Sequence, residues 1–220
     1  MGFLDLQNVG KCFKDGSAKK WVFRHLTFSF PEKGMVGILG KSGCGKSTLL
    51  SLLSGLSSPS EGRISYSGRN LTSFHEKDWL EFRRREIGFV FQHYNLIPGL
   101  SVYQNVLLPS MIKGPAKQRE KVDSLLKKVG ILKKKTQCVD SLSGGEKQRA
   151  AICRALTNSP KMLLCDEPTG ALDKDNSRGV AQLLSSISQT RLVIVVTHDE
   201  DLFKPFLTET FRLPWERKAD

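Results

Sequence analysis

The chain has 220 residues, enough for one domain with a buried core, and its 39% hydrophobic and 25% charged residues are ordinary for a globular protein. No stretch approaches the roughly 20 consecutive apolar residues that span a bilayer, and the first residues lack the basic and then apolar pattern of a secretion signal. We therefore exclude a membrane-spanning chain and expect a cytoplasmic location. Five scattered cysteines without a C-x-x-C pair indicate neither a zinc site nor a disulfide framework.

The net charge of +12, from 34 basic and 22 acidic side chains, leaves three alternatives open. These are a solvated lysine-rich surface, an anionic membrane nearby, and nucleic acid. The basic residues form separate clusters such as Arg83–Arg85 and Lys133–Lys135, and no aromatic residues interleave them as in a base-stacking platform. We therefore expect no nucleic-acid partner.

Short apolar or alternating runs bounded by turn residues predict strands. The predicted strands are Phe3–Val9, Trp21–Phe30, Met35–Leu39, Arg63–Ser67, Ile87–Phe91, Met162–Cys165 and Leu192–Val196. Apolar residues at helical spacing predict helices. The predicted helices are Ser47–Leu56, Val102–Leu108, Gln118–Val129 and Gly144–Leu156. Apolar strands that alternate with helices indicate a parallel sheet covered on both faces, and the helices between Leu100 and Ser159 indicate an inserted subdomain.

A glycine-rich loop follows the predicted strand Met35–Leu39 and opens a helix, and it fits the pattern G-x-x-x-x-G-K-[ST]. The loop and its first helical residues are Gly40, Lys41, Ser42, Gly43, Cys44, Gly45, Lys46, Ser47 and Thr48. Glycines let backbone N–H groups approach phosphate oxygens closely, and the helix N-terminus adds positive potential. Lys46 can supply charge to the β- and γ-phosphates, and the Ser47 hydroxyl can ligate Mg²⁺.

Two acids, Asp166 and Glu167, follow the apolar strand Met162–Cys165. Ligands bind at the carboxyl ends of parallel strands, so both side chains are placed for chemistry. We expect Asp166 to hold Mg²⁺ through water, and Glu167 to act as general base on an attacking water. Considered without the phosphate loop, the same pair could be solvated acids at a strand end.

The segment Leu142-Ser143-Gly144-Gly145-Glu146 precedes a predicted helix and permits two interpretations. Ser143 with Glu146 three residues later has the pattern of a capping box, which is a purely structural role. Ser143, Gly144 and Gly145 at a helix N-terminus are also a second anion-binding site. An enzyme with one complete nucleotide site has no need of two such helix starts.

Gly40–Thr48, Leu142–Glu146 and Asp166–Glu167, in this order and spacing, resemble the ATP-binding domain of ABC transporters. The resemblance covers nearly the whole chain. It implies one ABC ATPase domain over residues 1–220, of α/β class. The domain would have a P-loop NTPase core with a parallel sheet, an N-terminal antiparallel β subdomain and a helical subdomain inserted at about residues 93–158. It also implies ATP and Mg²⁺ as cofactors, and a head-to-tail homodimer. Each ATP would lie between Gly40–Thr48 of one subunit and Ser143–Glu146 of the other.

Other positions match the family one at a time. Gln92 matches the glutamine that contacts Mg²⁺ and the attacking water, and His198 matches the histidine that reaches the γ-phosphate. Asp173, in Ala171-Leu172-Asp173, matches the segment that couples the two sites of the dimer. Phe13 matches the aromatic residue that stacks on adenine, although Trp21 or Phe23 could take that role and Phe13 could simply pack in the core.

The stretch from Ile87 to Pro109, together with Asp166–Asp173, resembles the macrolide-export, lipoprotein-release and antimicrobial-peptide-resistance branch of the family. This implies an ATPase that powers a separate membrane permease, held at the cytoplasmic face of the membrane by that partner. We expect docking through the region after Gln92, where Tyr94, Leu96 and Ile97, together with Phe91 just before Gln92, offer an apolar face. The alternative is a non-transport ABC ATPase acting on nucleic acid or ribosomes, but the sequence lacks the extended heptads of the chromosome-acting relatives.

One further expectation concerns the reactivity of the Cys44 thiol. Its thiol lies in the phosphate loop, near Lys46 and a helix N-terminus, a setting that increases thiol reactivity. We expect alkylation of Cys44 to inhibit ATP hydrolysis and bound ATP to protect it.

Overall fold

The structure is a computed structural model that describes residues 2–15, 18–113 and 119–213. Its strands are β1 (Leu4–Asp15), β2 (Ala18–Phe30), β3 (Gly34–Leu39), β4 (Glu61–Tyr66), β5 (Arg69–Asn70), β6 (Ile87–Val90), β7 (Met162–Asp166), β8 (Leu192–Val196) and β9 (Glu209–Arg212). Its α-helices are α1 (Lys46–Leu53), α2 (Glu76–Glu86), α3 (Val102–Leu107), α4 (Arg119–Lys128), α5 (Gly144–Leu156), α6 (Lys174–Ser188) and α7 (Glu200–Phe203).

The strands form two sheets. An antiparallel sheet has the order β2-β1-β4-β5, and a parallel sheet has the order β6-β7-β8-β3-β9. In the chain, α3, α4 and α5 come between β6 and β7. The predicted α/β fold, with its parallel sheet, N-terminal antiparallel strands and inserted helices, is therefore confirmed.

The central parallel strands are buried on both faces, which explains their continuous apolar sequence. Along β7, Leu163 and Cys165 pack in the core that α3, α4 and α5 share with this face of the sheet. Met162 and Leu164 of the same strand pack in the other core, with α1 and the antiparallel sheet. This alternation follows from the two-residue period of a strand. The parallel pairing of β7 with β8 and of β8 with β3 places the carboxyl ends of all three strands at one edge of the sheet.

Most predicted elements are found close to their predicted bounds, and α5 and β8 have the bounds that the sequence predicts. The helix after the phosphate loop ends at Leu53, where Gly55 takes the left-handed conformation (φ 68°) typical of a helix C-terminus. The sequence analysis did not predict β5, α2, α6, α7 or β9. Gln118, predicted as the first residue of a helix, lies outside the described residues.

None of the helices in the described ranges is both long and apolar enough to cross a lipid bilayer.

Candidate functional site

The loop between β3 and α1 closes around the ammonium group of Lys46. Lys46 is only 8% exposed, and its Nζ donates to the carbonyl oxygens of Gly40 at 2.8 Å and of Lys41 at 3.1 Å. Gly45 has φ 101°, and a Cβ there would overlap Val22 and lie 2.9 Å from Phe23 Cδ1. The loop therefore needs glycine at this position for its backbone angle and for its close approach to β2.

Ser47, the second residue of α1, contacts the end of β7. Its hydroxyl donates to Asp166 Oδ1 at 3.1 Å. Burial raises the pKa of Asp166, while the Ser47 hydrogen bond and the charge of Lys46 oppose that rise. A hydroxyl and a half-buried carboxylate are hard oxygen ligands of the kind that Mg²⁺ binds, so these two residues fit an Mg²⁺ site.

Glu167 directly follows β7 and turns toward the end of β8. It has a left-handed backbone (φ 46°), and its N–H donates to Val196 O at 2.9 Å. This turn brings Glu167 Oε2 to 2.9 Å from Nδ1 of His198 and 3.3 Å from the His198 backbone N. A strained non-glycine conformation at a strand end is a feature that clusters at active sites. The pair forms a carboxylate and imidazole unit able to bind and polarise water.

Lys46, Ser47, Glu167 and His198 line one cleft of about 530 Å³, here called the Lys46 cleft, and Asp166 adjoins it through its hydrogen bond with Ser47. The predicted site residues that line it are Ser42, Gly43, Gly45, Lys46, Ser47, Thr48, Gln92, Glu167 and His198. Val22 and Val196 also line the cleft, and the sequence analysis did not single them out. Both are apolar residues in strands, where such residues are expected for packing alone. The sequence therefore gives no sign that they belong to the site, and Val22 is recognised only because β2 packs over the loop.

The second predicted anion-binding helix start, at α5, does not line this cleft. Ser143 Oγ accepts from Glu146 N at 3.3 Å, and Glu146 Oε2 accepts from Ser143 N at 2.9 Å, so the capping box is present. The pKa of Glu146 is lowered chiefly by the hydrogen bond from the Ser143 N–H. Lys134, whose Nζ lies 3.3 Å from Glu146 Oε1, lowers it as well. In one protomer, therefore, Ser143–Glu146 and the Lys46 cleft are separate surfaces.

The glycines at the start of α5 allow Tyr94 and the first turn of α6 to pack closely against this helix. A Cβ at Gly144 would lie 3.1 Å from the Tyr94 hydroxyl, and a Cβ at Gly145 would overlap Asn176 Oδ1. Asp173 in turn caps α6, because its Oδ1 accepts from Asn176 N at 2.9 Å and its Oδ2 accepts from Asn176 Nδ2 at 2.7 Å. These hydrogen bonds lower the pKa of Asp173. Asp173 is thereby joined to the start of α5 rather than to the Lys46 cleft.

The three aromatic candidates for adenine stacking differ in exposure. Phe13 is 51% exposed, with Lys11 Nζ 5.0 Å from its ring centroid. Phe23 is 4% exposed and packs beneath Gly45. The Trp21 ring is covered by the Arg24 guanidinium at 4.3 Å. Phe13 is thus the most accessible of the three rings, although it does not line the Lys46 cleft.

Cys44 does not present its thiol to the cleft. The residue is 4% exposed and packs in the core beside α1, and a Cβ added to Gly40 would lie 2.7 Å from its Sγ. Because the side chain points under the loop, the thiol lacks the exposure on which the expected reactivity depends. Cys153 and Cys165 are also buried, and burial raises the pKa of the Cys153 thiol to about 12 and that of Cys165 further.

Comparison with known proteins adds to this geometry. A family model described as ABC transporter matches residues 23–170. The ABC transporter ATP-binding protein YtrE of Bacillus subtilis (strain 168) is 38% identical over 207 residues, which cover 90% of each chain. A dimeric structure of the ATP-binding cassette MJ0796, in a post-hydrolysis state bound to ADP and Pi, has a TM-score of 0.85 and 34% identity, and covers 96% of this chain and 94% of its own. The structure of cbiO1 from Clostridium perfringens, part of an ABC transporter complex, has a TM-score of 0.89 and 29% identity, and covers 97% of this chain and 85% of its own.

The chain belongs to the ABC transporter family, as one of its ATP-binding subunits. These relatives favour the transporter interpretation over action on nucleic acid or ribosomes.

Proposed function

We propose that this chain binds ATP with Mg²⁺, hydrolyses ATP to ADP and phosphate, and transmits the resulting motion to a separate membrane permease. The observation that carries the proposal is the convergence in one cleft of Lys46, Ser47 and the Glu167–His198 pair, with Asp166 hydrogen-bonded to Ser47. These are the groups needed to hold a triphosphate, to hold its metal ion and to direct a water.

The Lys46 ammonium holds the β- and γ-phosphates once they replace the two loop carbonyls that it contacts in this structure. The loop N–H groups and the N-terminus of α1 hold the same oxygens. Ser47 and Asp166 would hold Mg²⁺, which neutralises charge on the transferred phosphoryl group when it is bound. Gln92, which also lines the cleft, orients the water.

Glu167 accepts the proton of the attacking water as general base. His198 holds Glu167 from one side through ring and backbone, and from the cleft that it lines it would contact the γ-phosphate. Catalysis here is mainly positioning and charge stabilisation, as is usual for phosphoryl transfer.

A second subunit completes the site in this proposal. Ser143–Glu146 form a helix start that lies apart from the cleft of their own chain. In a head-to-tail homodimer this helix start would close the γ-phosphate side of the partner subunit's ATP, while Asp173 couples the two sites. The dimeric structures of the MJ0796 cassette support the dimer itself. Phe13, the exposed aromatic residue, would stack on adenine.

We propose residues 1–220 as one ABC ATPase domain, with the helical part at about residues 93–158, and we assign it to the macrolide-export, lipoprotein-release and peptide-resistance branch. The expected docking residues after Gln92 are not equivalent. Phe91 stacks on Phe89 with ring centroids 4.3 Å apart, Leu96 packs against the helical core, and Ile97 is 46% exposed. We therefore centre the permease contact on Ile97. That contact would place the subunit at the cytoplasmic face of the membrane.

Purified protein with ATP and Mg²⁺ tests the proposal directly. We expect release of phosphate by the natural chain and none above background by Lys46→Ala, while Lys161→Ala, at an exposed position before β7, keeps full activity. Activity of Lys46→Ala equal to that of the control would defeat the proposed site. Tight, salt-sensitive binding of nucleic acid with no response to a permease would favour the alternative function.

A further inference from the structure

Directly after Gln92 the chain makes a sharp turn, in a backbone conformation that non-glycine residues rarely adopt. Tyr94 has φ 61° and Asn95 has φ 49°, so two consecutive residues lie in the left-handed region. Asparagine tolerates this region, whereas a bulky residue such as tyrosine adopts it at a cost. Such a conformation persists only where the surrounding structure holds it in place.

The side chain that holds this turn is Arg154, near the end of α5. Its Nη2 donates to Tyr94 O at 2.8 Å, and its Nη1 donates to Asn95 O. The guanidinium therefore binds the carbonyl groups of both left-handed residues at once. Its planar fork of N–H donors holds two acceptors in fixed positions, which the single ammonium group of a lysine does less well.

The contact with the turn is the main polar interaction of the Arg154 side chain. Among the ion pairs of the described residues, none includes Arg154. Arg154 is half-buried, and burial lowers the pKa of its guanidinium, although an arginine stays charged at neutral pH. A cation that is partly removed from water needs hydrogen-bond acceptors. The two carbonyl groups of the turn supply them, so loss of the guanidinium releases the turn without breaking an ion pair in the described part of the chain.

The start of α5 holds Tyr94 from a second side. A Cβ added to Gly144, the first residue of this helix, would lie 3.1 Å from the Tyr94 hydroxyl. The ring of Tyr94 thus packs against the same helix whose last turn carries Arg154. One rigid element therefore fixes both the ring and the carbonyl group of Tyr94.

We propose that Arg154 is a positioning residue for Gln92, because it holds the turn in the conformation that keeps Gln92 at the Lys46 cleft. Gln92 lines that cleft, and only His93 separates it from Tyr94 in the chain. Arg154 is not among the residues that line the cleft, so it acts through the turn and not on ATP. This inference rests on the proposed function, in which Gln92 orients the attacking water.

Backbone dynamics test the contact without ATP. The order parameters of the Tyr94 and Asn95 amides are measured by ¹⁵N relaxation in the natural chain and in Arg154→Gln. We expect values of about 0.85 in the natural chain and below about 0.6 in the variant. The Ile97 amide, which donates to Asn105 Oδ1 at 2.7 Å, is an internal control and should keep its value. Order parameters of Tyr94 and Asn95 that do not change would overturn the proposal.

Arg149 provides a matched control on the same helix. Its Nη1 donates to Val129 O at 3.1 Å, which is again a bond from an arginine to a backbone carbonyl group. Val129 does not line the Lys46 cleft. Arg149→Gln should therefore leave the order parameters of Tyr94 and Asn95 unchanged, whereas an equal loss of order in both variants would mean that the turn responds to any weakening of α5.

Steady-state ATP hydrolysis tests the positioning role. Arg154→Gln should lower kcat about ten- to a hundredfold, the loss expected when a group that orients a reactant is displaced, and leave KM for ATP within about twofold. In a Gln92→Ala background the same substitution should lower kcat by no more than about twofold, because the residue that it positions is absent. Arg149→Gln should have the same effect in both backgrounds. Equal losses from Arg154→Gln with and without Gln92 would show a merely structural role and defeat the proposal.

A conservative variant completes the test. Arg154→Lys keeps the charge but not the fork of donors, so its kcat and its order parameters should lie between those of the natural chain and of Arg154→Gln. The lysine variant also decides the matter if Arg154→Gln does not fold, since natural values for both measurements would then count against the proposal. If the natural chain forms no phosphate from ATP, the proposed function fails, whereas the order parameters still decide whether Arg154 holds the turn.

Discussion

Glu167 contacts His198 through one of its carboxylate oxygens, Oε2. Glu167 Oε2 lies 2.9 Å from the imidazole Nδ1 and 3.3 Å from the backbone N of the same histidine. The left-handed backbone of Glu167 and its N–H bond to Val196 fix where the side chain leaves the sheet. The carboxylate is thus anchored from one side and open to the cleft on the other, as a general base must be.

The first prediction concerns this carboxylate. Glu167→Gln keeps the shape of the side chain but removes its basicity. We expect kcat for ATP hydrolysis to fall by about 10²–10⁴-fold with little change in ATP affinity, and ATP-bound dimers to accumulate. Steady-state phosphate release and size-exclusion chromatography with ATP measure the two effects. Glu200→Gln, at an exposed residue paired with Arg212, is the matched control. Normal turnover by Glu167→Gln would show that another group accepts the proton.

The second prediction concerns Asp166, whose proposed role in binding Mg²⁺ has a cost in stability. Burial raises the pKa of its carboxyl, so the folded state disfavours the charged form. As pH rises from the ordinary aspartate pKa of about 3.9 through the raised folded value, the unfolded state loses its proton first, and the free energy of unfolding decreases. Asp166→Asn removes this effect and still accepts from Ser47.

Without nucleotide at neutral pH, we therefore expect Asp166→Asn to melt about 1–2 °C higher than the natural chain, after allowance for partial exposure. The difference should shrink as the pH falls below about 4 and disappear at about pH 3, where the carboxyl is protonated in both the folded and the unfolded state. Mg²⁺-dependent ATP hydrolysis should be lost. Scanning calorimetry across pH gives the melting temperatures, and a lower melting temperature for the variant at neutral pH would contradict the argument.

The sequence predicts some elements of the fold and of the candidate site and not others, for physical reasons. The sequence predicts both ends of helix α5, Gly144–Leu156, because the Ser143 cap and the helical spacing of apolar residues are local signals. The Ser47–Asp166 bond joins residues 119 positions apart, and it follows only once parallel strands are expected to end at one edge. Helix α2 is highly charged, with Phe82 as its buried residue, so it offers little apolar periodicity. Where a side chain points, as for Phe23, depends on packing between distant segments.

The third prediction uses the contact between α5 and the start of α6. Gly145 leaves no room for a side chain against Asn176, which holds both oxygens of Asp173. Gly145→Ala should therefore displace Asn176, release the Asp173 cap, and lower stability by about 1–3 kcal/mol. We expect ATP hydrolysis to fall with it, because the α5 helix start and the Asp173 loop would shift together.

A double variant separates this mechanism from a general loss of helix stability. Asn176→Ala removes the atoms that a Cβ at Gly145 would overlap, so Gly145→Ala should cost less in that background than alone. Lys147→Ala, on the same helix, is the control. Chemical denaturation of the four proteins gives the coupling energy, and strictly additive effects would show that Gly145 and Asn176 do not interact as described.

The last prediction concerns Cys44, whose position in the phosphate loop suggests a reactivity that its burial removes. Its thiol lies under Gly40 in the core beside α1, whereas Cys12 and Cys138 are partly exposed. Attack by a maleimide requires access to the sulfur, so Cys44 should react only through local opening of the loop. We expect brief treatment of the native chain to label Cys12 and Cys138 well before Cys44, as judged by mass spectrometry of the peptides. In a Cys12→Ser, Cys138→Ser background, ATP hydrolysis should survive that treatment. Labelling of Cys44 ahead of the other two would mean that the loop opens readily.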